Sequence, residues 1–169
     1  MIAKLIVEGK EFDIEILDPE LQKLMIPLKK TGYERMSVNQ PRYYVDVDGV
    51  ATMIDADYDL EDGCYEAANY YSDKAVAENN ARADNLMRQL RRFAAEHREE
   101  QLNWIDYNQE KWYIAYDYRI SPELQVWACD PLERDFGAIY FDSDKTAELA
   151  IDTFKDELIW YFTEYKDSL

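Results

Sequence analysis

The chain is poor in the residues from which most small catalytic sites are assembled. It holds one histidine, His97, and two cysteines, Cys64 and Cys129, with no CxxC pair and no Cys/His cluster to hold zinc. Two cysteines are too few for a secreted disulfide framework, so both read as ordinary reduced thiols in or near strands. His97 lies four residues after Phe93 on an apolar helical stripe and reads as a boundary histidine near a helix end. No GxSxG surrounds any serine, and no motif brings Cys64 or Cys129 to that histidine. The five glycines form neither a Walker A nor a dinucleotide-binding pattern, which argues against a phosphate-cradling glycine loop. No apolar run approaches a membrane span. The opening MIAKLIVEGKEF carries only Leu5 to Val7 as an apolar stretch, too short for a signal-peptide core, so the expected location is the cytoplasm.

Basic residues are also scarce. The 19 lysines and arginines stand against 36 aspartates and glutamates, a formal net charge of −17. Binding nucleic acid means neutralising phosphates with cations, so this balance argues against direct nucleic-acid binding and against an anionic membrane. It favours encounter with a basic protein surface. With so many acids, some carboxylate pair always falls at a workable distance for glycoside chemistry, so such a pair identifies nothing.

What is present is a pattern of hairpins and two long helices. Gly9-Lys10 as a two-residue type II′ turn pairs Val7 with Phe12 and gathers Ala3, Leu5, Val7, Phe12, Ile14 and Ile16 on one face. Asp18-Pro19-Glu20-Leu21 opens a short helix or turn. Asp48-Gly49 as a type I′ turn pairs Val47 with Val50, Val45 with Thr52 and Tyr43 with Ile54. That register sets Tyr44, Asp46, Met53, Asp55, Asp57 and Asp59 on the outer face. A third strand near Ala68–Tyr71 leads to a helix capped by Ser72 and running to about Glu99. The second half repeats the order: strands over Lys111–Tyr118, Leu124–Cys129 and Gly137–Phe141, then a helix capped by Ser143. The stretches ANYYSDKAVAE and AIYFDSDKTAE occupy matching places, and both duplication and chance account for the resulting offsets. The expected fold is α+β, a single unit over 1–169. It comprises an N-terminal hairpin and short helix (1–40) and two βββα halves (41–99 and 100–169).

From Tyr43 to Asp73 the chain has nine carboxylates and no lysine or arginine. As a calcium loop, DADYDLEDGCYE places Asp55, Asp57, Asp59 and Glu66 at ligand positions. Leu60, however, occupies the position where the sharp turn needs glycine, so no metal site is assigned. As a strand, Asp55, Asp57 and Asp59 recur every about 6.5–7 Å, an anionic row that imitates a nucleic-acid backbone. Tyr44 and Met53 lie among these acids, with Tyr113 and Trp127 as their counterparts on the second sheet. The candidate partner-binding residues are Tyr44, Asp46, Asp55, Asp57, Asp59, Glu61 and Asp62. No catalytic residue and no cofactor is assigned. The arginines at 82, 88, 91, 92 and 98 are expected to pair with nearby carboxylates.

The segments VEGKEFDIEI, KTGYERMSVNQPRYYVDVDG, NYYSDKAVAE and GAIYFDSDKTAELAIDTFKDELIWYF resemble a family of small phage and prophage proteins of Gram-positive bacteria. The pattern departs from that family at Asn39-Gln40-Pro41. The resemblance implies a phage accessory protein acting in the host cytoplasm. Small acidic proteins of that origin include anti-CRISPR inhibitors, which occupy the basic nucleic-acid channel of a Cas nuclease. The leading expectation is therefore a non-enzymatic protein inhibitor that binds a basic host protein. A phage structural or assembly protein, in homodimeric form, is the alternative. An enzyme using Asp/Glu chemistry or a divalent metal is the third.

Overall fold

The computed structural model describes residues 2–7, 10–15, 17–18, 30–37, 39–55, 58–119, 122–129 and 133–168. They fall into two compact units, Met1–Lys30 and Thr31–Leu169. The class is α+β, as expected: among the described residues are three helices, two two-stranded antiparallel sheets and one three-stranded antiparallel sheet.

The first unit contains β1 (Ile2–Val7) and β2 (Lys10–Glu15). Val7 stands opposite Lys10, Leu5 opposite Phe12 and Lys4 opposite Asp13, so the expected pairing of Val7 with Phe12 is corrected. Sliding a two-residue turn by one position changes every partner by two, which leaves the same residues sharing a face. The apolar pattern is therefore silent between these registers. Charge separates them at one pair: the expected register opposes Glu8 to Glu11, whereas the observed one sets Glu11 opposite Ile6, and Lys4 stands opposite an acidic residue in both. The turn residue Gly9, Ile16 and, from Pro19 onward, the short helix or turn expected to open at Asp18 lie outside the described residues.

The second unit opens with β3 (Tyr43–Val45) and β4 (Ala51–Met53). Their register also differs from expectation, with Tyr43 opposite Met53, Tyr44 opposite Thr52 and Val45 opposite Ala51. The Asp46 N–H donates to the Val50 carbonyl at 3.0 Å, enclosing a three-residue loop of Val47, Asp48 and Gly49. Gly49 takes φ +80°, the left-handed conformation that closes such loops. A shift of one residue exchanges faces. Val47 and Val50, expected in the core, are exposed at 101% and 57%, while Tyr44 turns inward. Tyr43, Val45 and Ala51 pack on Tyr71, Val76 and Ala77, and Tyr44 packs on Ile54, Cys64 and Tyr70. Both faces of this short hairpin are therefore covered.

Helix α1 (Tyr58–Glu66) follows, where the acidic row was expected to continue as strand. Asp59 and Glu61 lie in its first turn, where the N-terminal end of the helix dipole favours carboxylates. Helix α2 (Lys74–Glu96) buries Val76, Ala83, Leu86, Leu90, Phe93 and Ala94, as its 3.6-residue periodicity predicts. Its N-cap is Asp73, which accepts from the Val76 N–H at 3.0 Å, and not Ser72. His97 caps its C-terminus and stacks on Phe93 with ring centroids 3.9 Å apart.

Strands β5 (Lys111–Asp117), β6 (Glu123–Cys129) and β7 (Tyr140–Phe141) form a sheet in the order β6-β5-β7. Trp112, Ile114, Leu124 and Val126 face the helices, and Phe141, Ala147, Ala150 and Leu158 complete that core with α2. Helix α3 (Asp144–Thr163) is capped by Ser143, as expected, which accepts from the Thr146 N–H at 3.2 Å. It kinks at Phe154 (φ −115°, ψ 21°), beside Thr153, whose hydroxyl donates to the Leu149 carbonyl at 2.7 Å. Such back-bonding bends helices. In both halves a segment lies antiparallel to the first hairpin strand ahead of the capped helix. In the second half it is β7; in the first it is a single bridge, Tyr43 to Tyr71, in place of the strand expected over Ala68–Tyr71.

Candidate functional site

The acidic hairpin face breaks up when its carboxylates are traced to their partners. Strand β4 ends at Met53 and Asp59 lies on α1, so no strand carries a row from Asp55 to Asp59; Asp57 lies outside the described residues. The Asp46 carboxylate is consumed by its own loop. It accepts from the Asp48 and Val50 N–H groups, each at 3.0 Å, and from the Thr52 hydroxyl at 2.8 Å. These bonds, the one from Val50 first, hold its pKa below the usual aspartate value. Glu61 is buried against Arg42, with Oε2 2.9 Å from Nε. Asp62 pairs with Arg35, whose guanidinium also covers the Tyr65 ring. Tyr44 belongs to the core. Among the described candidates Asp55 and Asp59 remain exposed, and Asp59 makes contacts of its own. Glu61 escaped recognition as an inward-facing residue because its partner, Arg42, precedes the cation-free stretch by one position.

The TGYER segment also has a structural role. Glu34 accepts from the Thr31 and Gly32 N–H groups, the Thr31 hydroxyl and, at 2.6 Å, the Ser72 hydroxyl. The Ser72 bond first, then the backbone bonds, lower its pKa to about 2. Tyr33 donates to the Asp167 carbonyl at 2.6 Å and accepts from Asn80, tying the segment to the far end of the chain.

Two other features emerge that the linear reading missed. Asp144, Glu148, Asp152 and Asp156 recur every four residues along α3, all exposed, and none forms an ion pair among the described residues. Residues four apart share a helix face and rise about 6 Å per step, so the first three make an anionic ridge that continues at Asp156 beyond the kink. The i, i+4 spacing is legible in the sequence, on the flank of the apolar stripe of the same helix.

The second feature is basic. Arg91, Arg98 and Arg134 line an open cleft of about 330 Å³ with Trp104 and Tyr140. The expected pairing of the α2 arginines holds for Arg82, which forms a two-pronged bond with Glu157 at 2.7 and 3.0 Å, and loosely for Arg92 with Glu96 at 3.8 Å. It fails for Arg88, Arg91 and Arg98, which have no carboxylate within ion-pair distance among the described residues. The Asp142 carboxylate accepts from the Glu99 and Glu100 N–H groups, just after Arg98, at 2.6 and 3.0 Å.

Among the described residues no cluster of histidine, cysteine and carboxylate side chains could hold a metal ion, and no helix is long and apolar enough to cross a membrane. Compared with known proteins, the chain matches no family model, no curated protein and no solved structure.

Proposed function

We propose that the protein is a non-enzymatic docking protein that binds a basic, nucleic-acid-binding protein surface. The specific form implied by its resemblance to phage accessory proteins is an anti-CRISPR-like inhibitor of a Cas nuclease. The observation that carries this reading is the ridge of Asp144, Glu148, Asp152 and Asp156 on α3. Like charges four residues apart cost a helix about 0.2–0.5 kcal/mol per pair, so stability alone does not ask for the arrangement. Its spacing is comparable to that of successive phosphates on a nucleic-acid strand, and a rigid helix presents it with little ordering cost. The cleft between α3 and β6, lined by Trp127, Gln125, Glu148 and Asp152, adds an amphipathic aromatic anchor beside the acids. On the β3-β4 hairpin, exposed Val47 precedes exposed Asp48, and exposed Met53 lies two residues before exposed Asp55.

The test is capture of a guide-free Cas nuclease at two salt concentrations, with wild-type protein and with Glu148→Gln, Asp152→Asn and Asp156→Asn combined. Binding that falls steeply with salt and is lost in the triple variant supports the proposal. Full affinity of the triple variant at low salt, or no binding by the wild type, overturns it.

A further inference from the structure

The arginine-lined cleft is of opposite character to the rest of the molecule. Three guanidinium groups converge on one opening in a chain of net charge −17. Arg91 lies near the C-terminal end of α2, Arg98 just beyond its cap His97, and Arg134 in the segment before β7, and all three line the cleft. The Arg98 Nε is buried and has no hydrogen-bond partner among the described residues. A buried donor on a charged group is costly to leave unmade, and a guanidinium with no carboxylate beside it is one that a bound anion would stabilise.

The walls are held in place. Arg134 lies over the Trp104 ring, its Cζ 5.3 Å from the centroid, and Trp104 packs edge-on against Tyr140 at 4.8 Å. The Tyr140 hydroxyl accepts from the Asp135 N–H at 2.7 Å, fixing the loop that carries Arg134. The fully buried Lys111 also lies over Trp104, at 5.4 Å, its ammonium bonded to the Gln109 and Asp106 carbonyls at 2.7 and 3.2 Å. Trp104 is thus occupied by cations and by Tyr140, and it orients the site without offering a free stacking face.

We infer that this cleft binds a small organic phosphate, with Arg91, Arg98 and Arg134 as its ligands. A carboxylate has two oxygens and is commonly satisfied by one two-pronged arginine. A phosphate monoester carries up to two charges and three terminal oxygens, which match three converging guanidiniums. The cleft has more room than a bare phosphate needs, and Ala94, Leu102 and Ile139 supply an apolar wall for an attached organic group. The global charge selects for size. Screening confines each charge to about 8–10 Å at moderate ionic strength, so a small anion inside the cleft is governed by its arginines. A long polyanion crosses the acidic exterior and is repelled.

The test is calorimetric titration of the full chain with phenyl phosphate, inorganic phosphate and benzoate. Saturable binding of phenyl phosphate, at least about tenfold tighter than benzoate, is expected from the extra charge-assisted bonds. Arg98→Gln and Arg134→Gln each weaken it by about tenfold or more, while Arg92→Gln, exposed on α2 outside the cleft, leaves it unchanged. Circular dichroism confirms that each variant is folded, and Arg98→Lys, which keeps the charge without the fork, provides a second reading with intermediate affinity. The inference is overturned by absence of saturable binding or by equal effects of Arg92→Gln and Arg98→Gln. It is also overturned if sedimentation shows salt-sensitive self-association that Arg98→Gln abolishes, since the cleft would then be filled by a second copy.

Discussion

Arg42 and Glu61 form an ion pair at 2.9 Å with side chains only 4% and 9% exposed, joining the residue before β3 to the first turn of α1. The pair explains why α1 sits where a strand was expected, since the inward face of that helix is built from Glu61 and Cys64 and not from an apolar stripe. Removing one partner leaves the other charge buried. Glu61→Gln is expected to destabilise the protein by about 3 kcal/mol, whereas Arg42→Met with Glu61→Leu is expected to be near neutral. Urea denaturation of the two variants measures the difference; equal losses would show that the pair does not act as a unit.

Glu34 makes the fold sensitive to acid. Its carboxyl is lowered from 4.5 to about 2 by the Ser72 hydroxyl and the Thr31 backbone. A carboxylate with a depressed folded-state pKa contributes stability above its unfolded value and loses it as pH falls through the folded one. The contribution of Glu34 is therefore complete above about pH 4.5 and gone near pH 2. Glu34→Gln should cost about 1–2 kcal/mol at pH 7, with the gap to wild type closing between those limits. Thermal unfolding across that window checks it.

Ser72 and Asp73 have separate roles that substitution can divide. Asp73→Ala removes the α2 cap and should cost about 1 kcal/mol, as Ser143→Ala should for α3. Ser72→Ala acts through Glu34, so its effect should largely vanish in a Glu34→Gln background. A double-mutant cycle in denaturant decides; additive losses would place Ser72 in a different role.

Gly32 holds φ +92°, and a β-carbon there would lie 2.7 Å from Val76 Cγ2. Gly32→Ala should destabilise by about 2 kcal/mol or more through backbone strain and overpacking together. Adding Val76→Ala relieves the contact but not the strain, so rescue measured by chemical denaturation should be partial.

Tyr44 and Asp46, expected to meet a partner, should instead behave as stability residues. Tyr44→Ala empties a place among Ile54, Cys64 and Tyr70 and should cost about 1–2 kcal/mol. Asp46→Asn should loosen the hairpin loop, seen as faster amide exchange at Asp48 and Val50. Neither should alter the salt dependence of docking, and a selective loss of affinity in either would return that face to the interface.

The sequence by itself determined the mixed class, the two long helices and most of the residues that face the second core. Local periodicity and capping encode these directly: the α2 stripe, Ser143 and the strands of the second sheet are legible without any partner. Tertiary structure decided the rest. Both hairpin registers depended on loop geometry and cross-strand charge, to which the apolar pattern was indifferent at β1-β2 and misleading at β3-β4, where both faces are covered. The fate of each carboxylate depended on what lay opposite it in space. Arg42 took Glu61, Ser72 and the Thr31 loop took Glu34, and the Asp46 loop closed on itself. The α3 ridge remained among the exposed carboxylates, and Arg91, Arg98 and Arg134 of the cleft among the described cations without an ion pair. Charge can be counted along a chain, but whether it is spent internally or left for a partner is set by contacts between residues far apart in sequence.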